Sequence, residues 1–335
     1  MSVARRMAVT LPAGPAIADT IERVAWAKDN GYQDAWFGDG GAPDALTTAA
    51  ALGAVSENIR IGCAVTPVYT RTPAVLAATA NALGQILKGG FVMGLGSSSQ
   101  TMMTGWHGMA LDKPVTRVKN TALMVRSMLK GEKSDFDLDV LSSHGYRQFP
   151  LPEGMAPPLY LAALRPKMIE MAAEIGDGVI FNLWPKGALP KMMEHVRIGA
   201  ERAGKDWKNI EIVNRAMVLV TDDKEEGRNR FRAGFAPYYA TPVYNKFLAW
   251  AGYEDAASTI IEGWAAKDRK KTSGALSDAL IDEIANIGTA DECRQRILED
   301  AEAGVHTHII APLGAPGSPE IRATFEAFSG ANFSL

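Results

Sequence analysis

Short apolar runs recur along the chain, each followed by a turn rich in glycine, proline or aspartate and then by a stretch of helical periodicity. Met7–Leu11 reads as a strand. Residues 17–30 then place Ile17, Ile21, Val24, Ala25 and Lys28 at helical spacing, and Gly31 is positioned to end that helix. Asp34–Phe37 is a second strand, Leu46–Val55 a helix, Arg60–Val65 a third strand, Pro73–Leu87 a helix and Gly89–Gly94 a fourth strand. Leu159–Ala163, Asp177–Phe181, Ile212–Val220 and His306–Ala311 complete eight runs that alternate with helical stretches. That alternation predicts an α/β fold, drawn either as a (β/α)₈ barrel or as a doubly wound open sheet.

Two segments interrupt the rhythm and read as insertions in a single domain spanning 1–335. Residues 133–158, with Asp135, Asp137, Asp139 and four prolines, suggest a loop with a short hairpin. Residues 221–287 keep a helical pattern and carry Phe235, Tyr238, Tyr239, Tyr244, Phe247, Trp250, Tyr253 and Trp264. An insertion of that length is expected to build a lid or a pocket wall.

Composition narrows the function classes. Hydrophobic residues make up 47% and charged residues 22% of 335 residues, which excludes a disordered, collagenous or membrane-array chain. Lysine and arginine number 35 against 38 acids, so the basic excess that binds a phosphate backbone is missing and no nucleic-acid partner is expected. No apolar run approaches the ~20 residues that span a bilayer. Arg5 and Arg6 before the apolar stretch 7–17 imitate an export leader, but Pro12, Gly14 and Pro15 break it into a strand and a turn. Cys63 and Cys293 are too few for a disulfide framework, which fits a reducing cytoplasm. His107, His144, His195, His306 and His308 are scattered without carboxylate or cysteine companions at ligand spacing, so no metal site is expected.

In a barrel the chemistry sits in the turns after the strands. Gly38-Asp39-Gly40-Gly41 offers a carboxylate among glycines, either for a ligand or as a cap on the next helix. Arg71 follows the third strand and is placed to neutralise an anion or cap a carbonyl. Gly94-Leu-Gly-Ser-Ser-Ser99 imitates a phosphate loop, yet Ser99 holds the third glycine position and no Lys-Ser/Thr follows, which weakens the open-sheet nucleotide fold. Ala162-Ala163-Leu164-Arg165-Pro166 opens a helix and suits an anion; read blandly it is an ordinary turn. The sixth turn supplies Asn182, Trp184 and Lys186, with the indole better suited to the core. No nucleophile elbow occurs. Few titratable groups among many small residues suit an enzyme whose hard chemistry belongs to an organic cofactor.

Four ordered stretches resemble the luciferase-like superfamily, and within it the F420-dependent oxidoreductases and methylenetetrahydromethanopterin reductase-like proteins. They are Trp36–Asp39, Val65–Ala74, Gly94–Ser99 continuing to Gly105–Gly108, and Leu161–Met168 running to Gly176–Ile180. The resemblance implies the (β/α)₈ barrel with insertions, a small-molecule substrate, a homodimer, and hydride transfer with coenzyme F420. FMN-dependent monooxygenation is the alternative, and a non-catalytic flavin-binding barrel a further one. It also implies residue roles. Asp39 falls beside the deazaflavin ring, and Cys63-Ala64, followed by Val65, falls where relatives support the ring with a non-prolyl cis peptide. Ser97, Ser98 and Asn182 match cofactor-contacting positions, and Ala162, Ala163, Leu164, Arg165 and Pro166 match the loop around the ribityl-phosphate end. Sugar-phosphate and alcohol oxidising relatives carry a glutamate where this chain has Ser99, so the resemblance leaves Asp39, His107 or a water as the proton donor, or a chemistry that needs none.

Overall fold

Eight parallel strands, β1 (Arg6–Thr10), β2 (Asp34–Phe37), β3 (Arg60–Cys63), β4 (Phe91–Gly96), β5 (Leu159–Ala162), β6 (Gly178–Asn182), β7 (Glu211–Val220) and β8 (Thr307–Pro312), each pair with the next. β8 returns to β1, with Thr307 opposite Arg6 and Ile310 opposite Val9, so the sheet closes into a (β/α)₈ barrel rather than remaining open. The computed structural model describes residues 3–11, 16–314 and 317–335; the turn expected at Pro12–Pro15 lies outside them.

Alternation along each strand sorts the side chains. Val9, Phe37, Ile61, Met93, Leu161, Phe181, Ile212 and Ile310 point outward into the layer between barrel and helices and form part of the main core. Each such side chain, fully buried, contributes about 1.5–3 kcal/mol. Ala8, Trp36, Val92, Tyr160, Ile180, Val213 and Ile309 fill the barrel interior instead.

Below that layer the barrel is plugged by charge. Arg60 Nη2 donates to Asp34 Oδ2 at 2.5 Å and to Glu211 Oε1 at 2.6 Å. Tyr160 and Thr307 hydroxyls donate to the two oxygens of Glu211, each at 2.5 Å, and Trp36 Nε1 donates to Asp34 at 3.1 Å. Burial opposes the charge on Arg60, but Glu211 and Asp34 overcome it and raise its pKa. Burial likewise pushes Glu211 upward, and Arg60 with the two hydroxyls outweighs it to leave the carboxyl below its ordinary value.

Two strands differ by two residues from the bounds the pattern suggests, and the others by at most one. β4 is Phe91–Gly96 rather than 89–94, because Gly90 turns at φ +97° and the ladder continues through Leu95 opposite Leu161. β3 stops at Cys63, and Thr66–Pro67 forms a separate short strand against β4.

The insertions have structure of their own. Asp135–Leu138 and Leu141–His144 make the antiparallel hairpin expected in the first. The second contains helices Lys224–Tyr239, Pro242–Trp250, Glu254–Ala265, Arg269–Gly274 and Asp278–Ile284 before a strand, Ala285–Gly288, that pairs with the end of β7. Phe231, Tyr239, Leu248, Ile260 and Ile281 form its core and pack on Leu183, Met217, Ala311 and Leu313 at the C-terminal ends of the barrel strands. The insertion therefore stands over the mouth of the barrel. No described helix is long and apolar enough to cross a membrane.

His308, on β8, is fully buried, and burial pushes its pKa down to about 3. A depressed histidine contributes stability that is complete above its unfolded value of about 6.5 and lost as pH falls below it. Lowering the pH from 7.5 to 5.5 should cost on the order of 1 kcal/mol through this residue alone. Urea unfolding of His308→Leu at both pH values should show a smaller acid loss than the parent chain; an identical loss would exclude His308 as its source.

Candidate active site at the barrel mouth

The C-terminal ends of the strands bring most of the expected residues to one face. After β2, the loop at Gly38 approaches the carbonyl of Ala64, to which a Cβ at Gly38 would lie 3.6 Å away. A non-prolyl cis peptide follows β3, but it joins Ala64 to Val65 rather than Cys63 to Ala64. The reason lies in the ladder: Ala64 N–H donates to Phe37 O at 2.7 Å, so the chain is still in register with β2 at Cys63 and departs one residue later. Cys63 itself is fully buried, its thiol set against Thr66 Oγ1 at 3.2 Å and its pKa pushed up to about 12 by burial. It belongs to the wall behind the site.

Val65 and Ala162 press on the end of β4. A Cβ on Gly96 would lie 2.5 Å from Val65 Cγ2 and 3.3 Å from Ala162 Cβ, so only glycine fits there. Ala64, Val65, Gly96 and Ala162 thus form a continuous wall of small groups across the tips of β3, β4 and β5. Ser97 and Ser98 continue from it, half-buried, with Ser98 at φ 60° and its hydroxyl 3.2 Å from Met102 Sδ. Ser99 Oγ accepts from Met102 N–H at 3.3 Å at the start of the π-helical turn Thr101–Trp106. His107 follows that turn, exposed at the rim.

Asp39 and Arg71 turn out to be partners. Arg71 bridges Asp39 and Asp44, with the Asp39 side chain only 8% exposed. Burial opposes the charge of Arg71, and the two carboxylates raise its pKa nonetheless. Asp39 does not cap the following helix; Asp44 does, its Oδ2 accepting from Thr47 N–H at 2.8 Å. Arg71 is accordingly spent on carboxylates, neither free for an anion nor capping a carbonyl.

After β5, Ala163 is buried, Ala162, Leu164 and Pro166 are half-buried, and Arg165 is exposed at the N-cap of Pro166–Ile175. The Arg165 side chain makes no cap bond and no ion pair with a described residue. Past β6, Asn182 Nδ2 donates to Tyr244 Oη at 2.8 Å, while its Oδ1 is buried without a partner. Trp184 is core, donating to Asn214 Oδ1 at 2.8 Å. Tyr244 comes from the second insertion, whose aromatics run Phe231, Phe235, Tyr238, Tyr244 with ring centroids 4.8, 5.6 and 5.9 Å apart.

One residue escaped the pattern reading. Arg215 lies in the middle of β7, directly opposite Asn182. Two residues on from inward-facing Val213, its side chain turns into the barrel. The signal was visible as a single cation within a mainly apolar strand that also carries Glu211 and Asn214.

Among the described residues no group of three or more histidine, cysteine or acidic side chains could hold a metal ion. The arrangement is a closed barrel whose mouth brings together small residues, amide and hydroxyl groups, and the arginines Arg165 and Arg215. The chain belongs to the luciferase-like monooxygenase family, whose model matches residues 1–307. It is 28% identical over 296 residues, 88% of this chain and 89% of the relative, to a 5,10-methylenetetrahydromethanopterin reductase of Methanolobus tindarius. It is 25% identical over 321 residues, 86% and 89% of the two chains, to a putative coenzyme F420-dependent oxidoreductase of Mycobacterium tuberculosis. Among solved structures, the coenzyme F420-dependent tetrahydromethanopterin reductase of Methanopyrus kandleri superposes with a TM-score of 0.81 at 19% identity, covering 97% of each chain.

Proposed function

We propose that this protein is a cytoplasmic oxidoreductase that uses coenzyme F420 for hydride transfer to or from a small organic substrate. The observation that carries this reading is the wall made by Ala64, Val65, Gly96 and Ala162, which leaves a planar ring free to lie against the strand tips. Asn182, with a buried Oδ1 lacking a partner, is placed to meet a ring N–H. Ser97 and Ser98 flank the wall, and Arg165 at the start of a helix suits the phosphate of the cofactor's tail. Similarity to a putative coenzyme F420-dependent oxidoreductase of Mycobacterium tuberculosis supports the deazaflavin over FMN.

When bound, the deazaflavin supplies the hydride at C5. The residues of the chain hold its plane, exclude water from one face and orient the substrate on the other. Asp39 accepts from Arg71 and acts as a fixed polar group beside the ring. It is poorly placed to give up a proton without breaking that pair, so His107 or a water is the proton donor in this reading. The family's name keeps FMN-dependent monooxygenation as the second reading.

Fluorescence titration with F420 and with FMN tests the cofactor, with F420 expected to bind more tightly. Gly96→Ala should weaken F420 binding about tenfold, or about 1.4 kcal/mol, by pushing Val65 into the ring's place, and the same overpacking should lower folding stability by about 1–3 kcal/mol. Unchanged binding by this variant would move the ring away from the wall.

A further inference from the structure

Arg215 is a cation held inside the barrel with no carboxylate partner among the described residues. Its register partner Asn182 and its neighbour two residues back, Val213, fix where it points: Val213 and Ile180 are opposite one another in the interior layer, and Arg215 and Asn182 are the next inward pair toward the mouth. Its only hydrogen bond to a described residue is a weak one, from Nη1 to Met217 Sδ at 3.5 Å. Arg60, in the same interior at the opposite end, is satisfied by two carboxylates, so the contrast lies in the partner and not in the setting. Burial pulls the pKa of Arg215 down, while the nearby Tyr238 and Tyr244 hydroxyls act in the other direction. A guanidinium nevertheless keeps its charge at neutral pH, and a buried charge without a counter-ion is costly unless something supplies one.

We propose that Arg215 is the specificity residue for substrate, and that the substrate is a small organic oxyanion, a carboxylate foremost, seated between Arg215 and Asn182 beneath Tyr238 and Tyr244. The proposal rests on the redox reading of the same mouth. The cofactor's own phosphate is assigned elsewhere, to the turn of Ala162–Arg165 after β5, two strands away from β7. A planar guanidinium grips a carboxylate through two parallel hydrogen bonds, and the neighbouring amide can add a third. The aromatic chain Phe235, Tyr238, Tyr244 then provides an apolar cover for the organic part.

The test uses the full chain, with and without saturating F420, titrated calorimetrically with benzoate, phenylphosphonate and neutral benzamide. The parent protein should bind benzoate at least about tenfold more tightly than benzamide, the size expected of a charged hydrogen bond. Arg215→Gln should abolish that preference and Arg215→Lys should keep part of it, with F420 affinity within about twofold in both. Equal binding of benzoate and benzamide by the parent chain would overturn the proposal. So would a preference that survives Arg215→Gln, or a loss confined to F420 affinity. Failure of the parent chain to bind F420 would count against the redox reading alone, because the benzoate preference is read independently in the cofactor-free protein.

Discussion

Replacing Arg60 by methionine should cost about 3–5 kcal/mol of stability, the largest effect of any single change considered for this chain. The guanidinium joins Asp34 on β2 to Glu211 on β7 across the barrel floor. Its loss leaves two buried carboxylates with only part of their partners: Asp34 keeps Arg6 at 3.2 Å and Trp36, and Glu211 keeps the Tyr160 and Thr307 hydroxyls. Equilibrium unfolding in urea reads the loss directly. The pH dependence supplies a second signature. Glu211 in the parent chain lies below its ordinary value, so its contribution is complete above the unfolded carboxylate pKa of about 4.3 and is lost as pH falls through that range. Without Arg60 the burial that opposes its charge prevails, the sign reverses, and the variant should regain stability on mild acidification. A triple variant, Arg60→Met with Asp34→Asn and Glu211→Gln, should recover much of the loss, because the penalty comes from unpaired charge. A loss below about 1 kcal/mol in Arg60→Met would mean that the floor is solvated and the plug contributes little.

The second large effect concerns the cofactor. Arg165→Ala should weaken F420 binding by about 1.5–3 kcal/mol, a fall of roughly 10- to 150-fold, through loss of a charged hydrogen bond to phosphate. The side chain is exposed and unpaired among the described residues, so its removal should leave the melting temperature nearly unchanged. Arg165→Lys should restore part of the affinity as a point charge without the planar fork. Raising the salt concentration should narrow the difference between Arg165 and Arg165→Ala, since an exposed charge is screened. If Arg165→Ala binds F420 as the parent does, Arg165 has no place in the site.

The alternation of strands and helices was legible because burial in this fold follows two simple periods, whereas the choice of a closed barrel over an open sheet came from the family resemblance. All eight strands were found where apolar runs precede turns, and errors were confined to their ends. Gly89 and Gly90 resembled the start of β4 by apolar composition, but φ +97° at Gly90 belongs to a turn, a fact that composition cannot carry. The gathering of candidate residues was legible for the same reason: turns after strands share one face, where Asp39, Val65, Ser97, Ala162 and Asn182 lie. What stayed hidden depended on long-range pairing. Arg71 looked available for a ligand until Asp39 and Asp44 were seen around it, and the two acids are separated from it by 32 and 27 residues. Tyr244 reached Asn182 from 62 residues away through an insertion whose helices the pattern found but whose docking it could not place. Arg215 was read as part of a strand, since one cation in an apolar run does not reveal which face it occupies until the register with β6 is known.

The most direct measurement for the central claim is oxygen consumption by the protein carrying reduced cofactor, read beside the affinities for F420 and FMN. F420 should bind more tightly, its reduced form bound to the protein should consume no oxygen, and FMN should bind weakly if at all. Tight FMN binding with rapid oxygen uptake by the reduced complex would contradict it and make the protein a flavin monooxygenase on the same barrel.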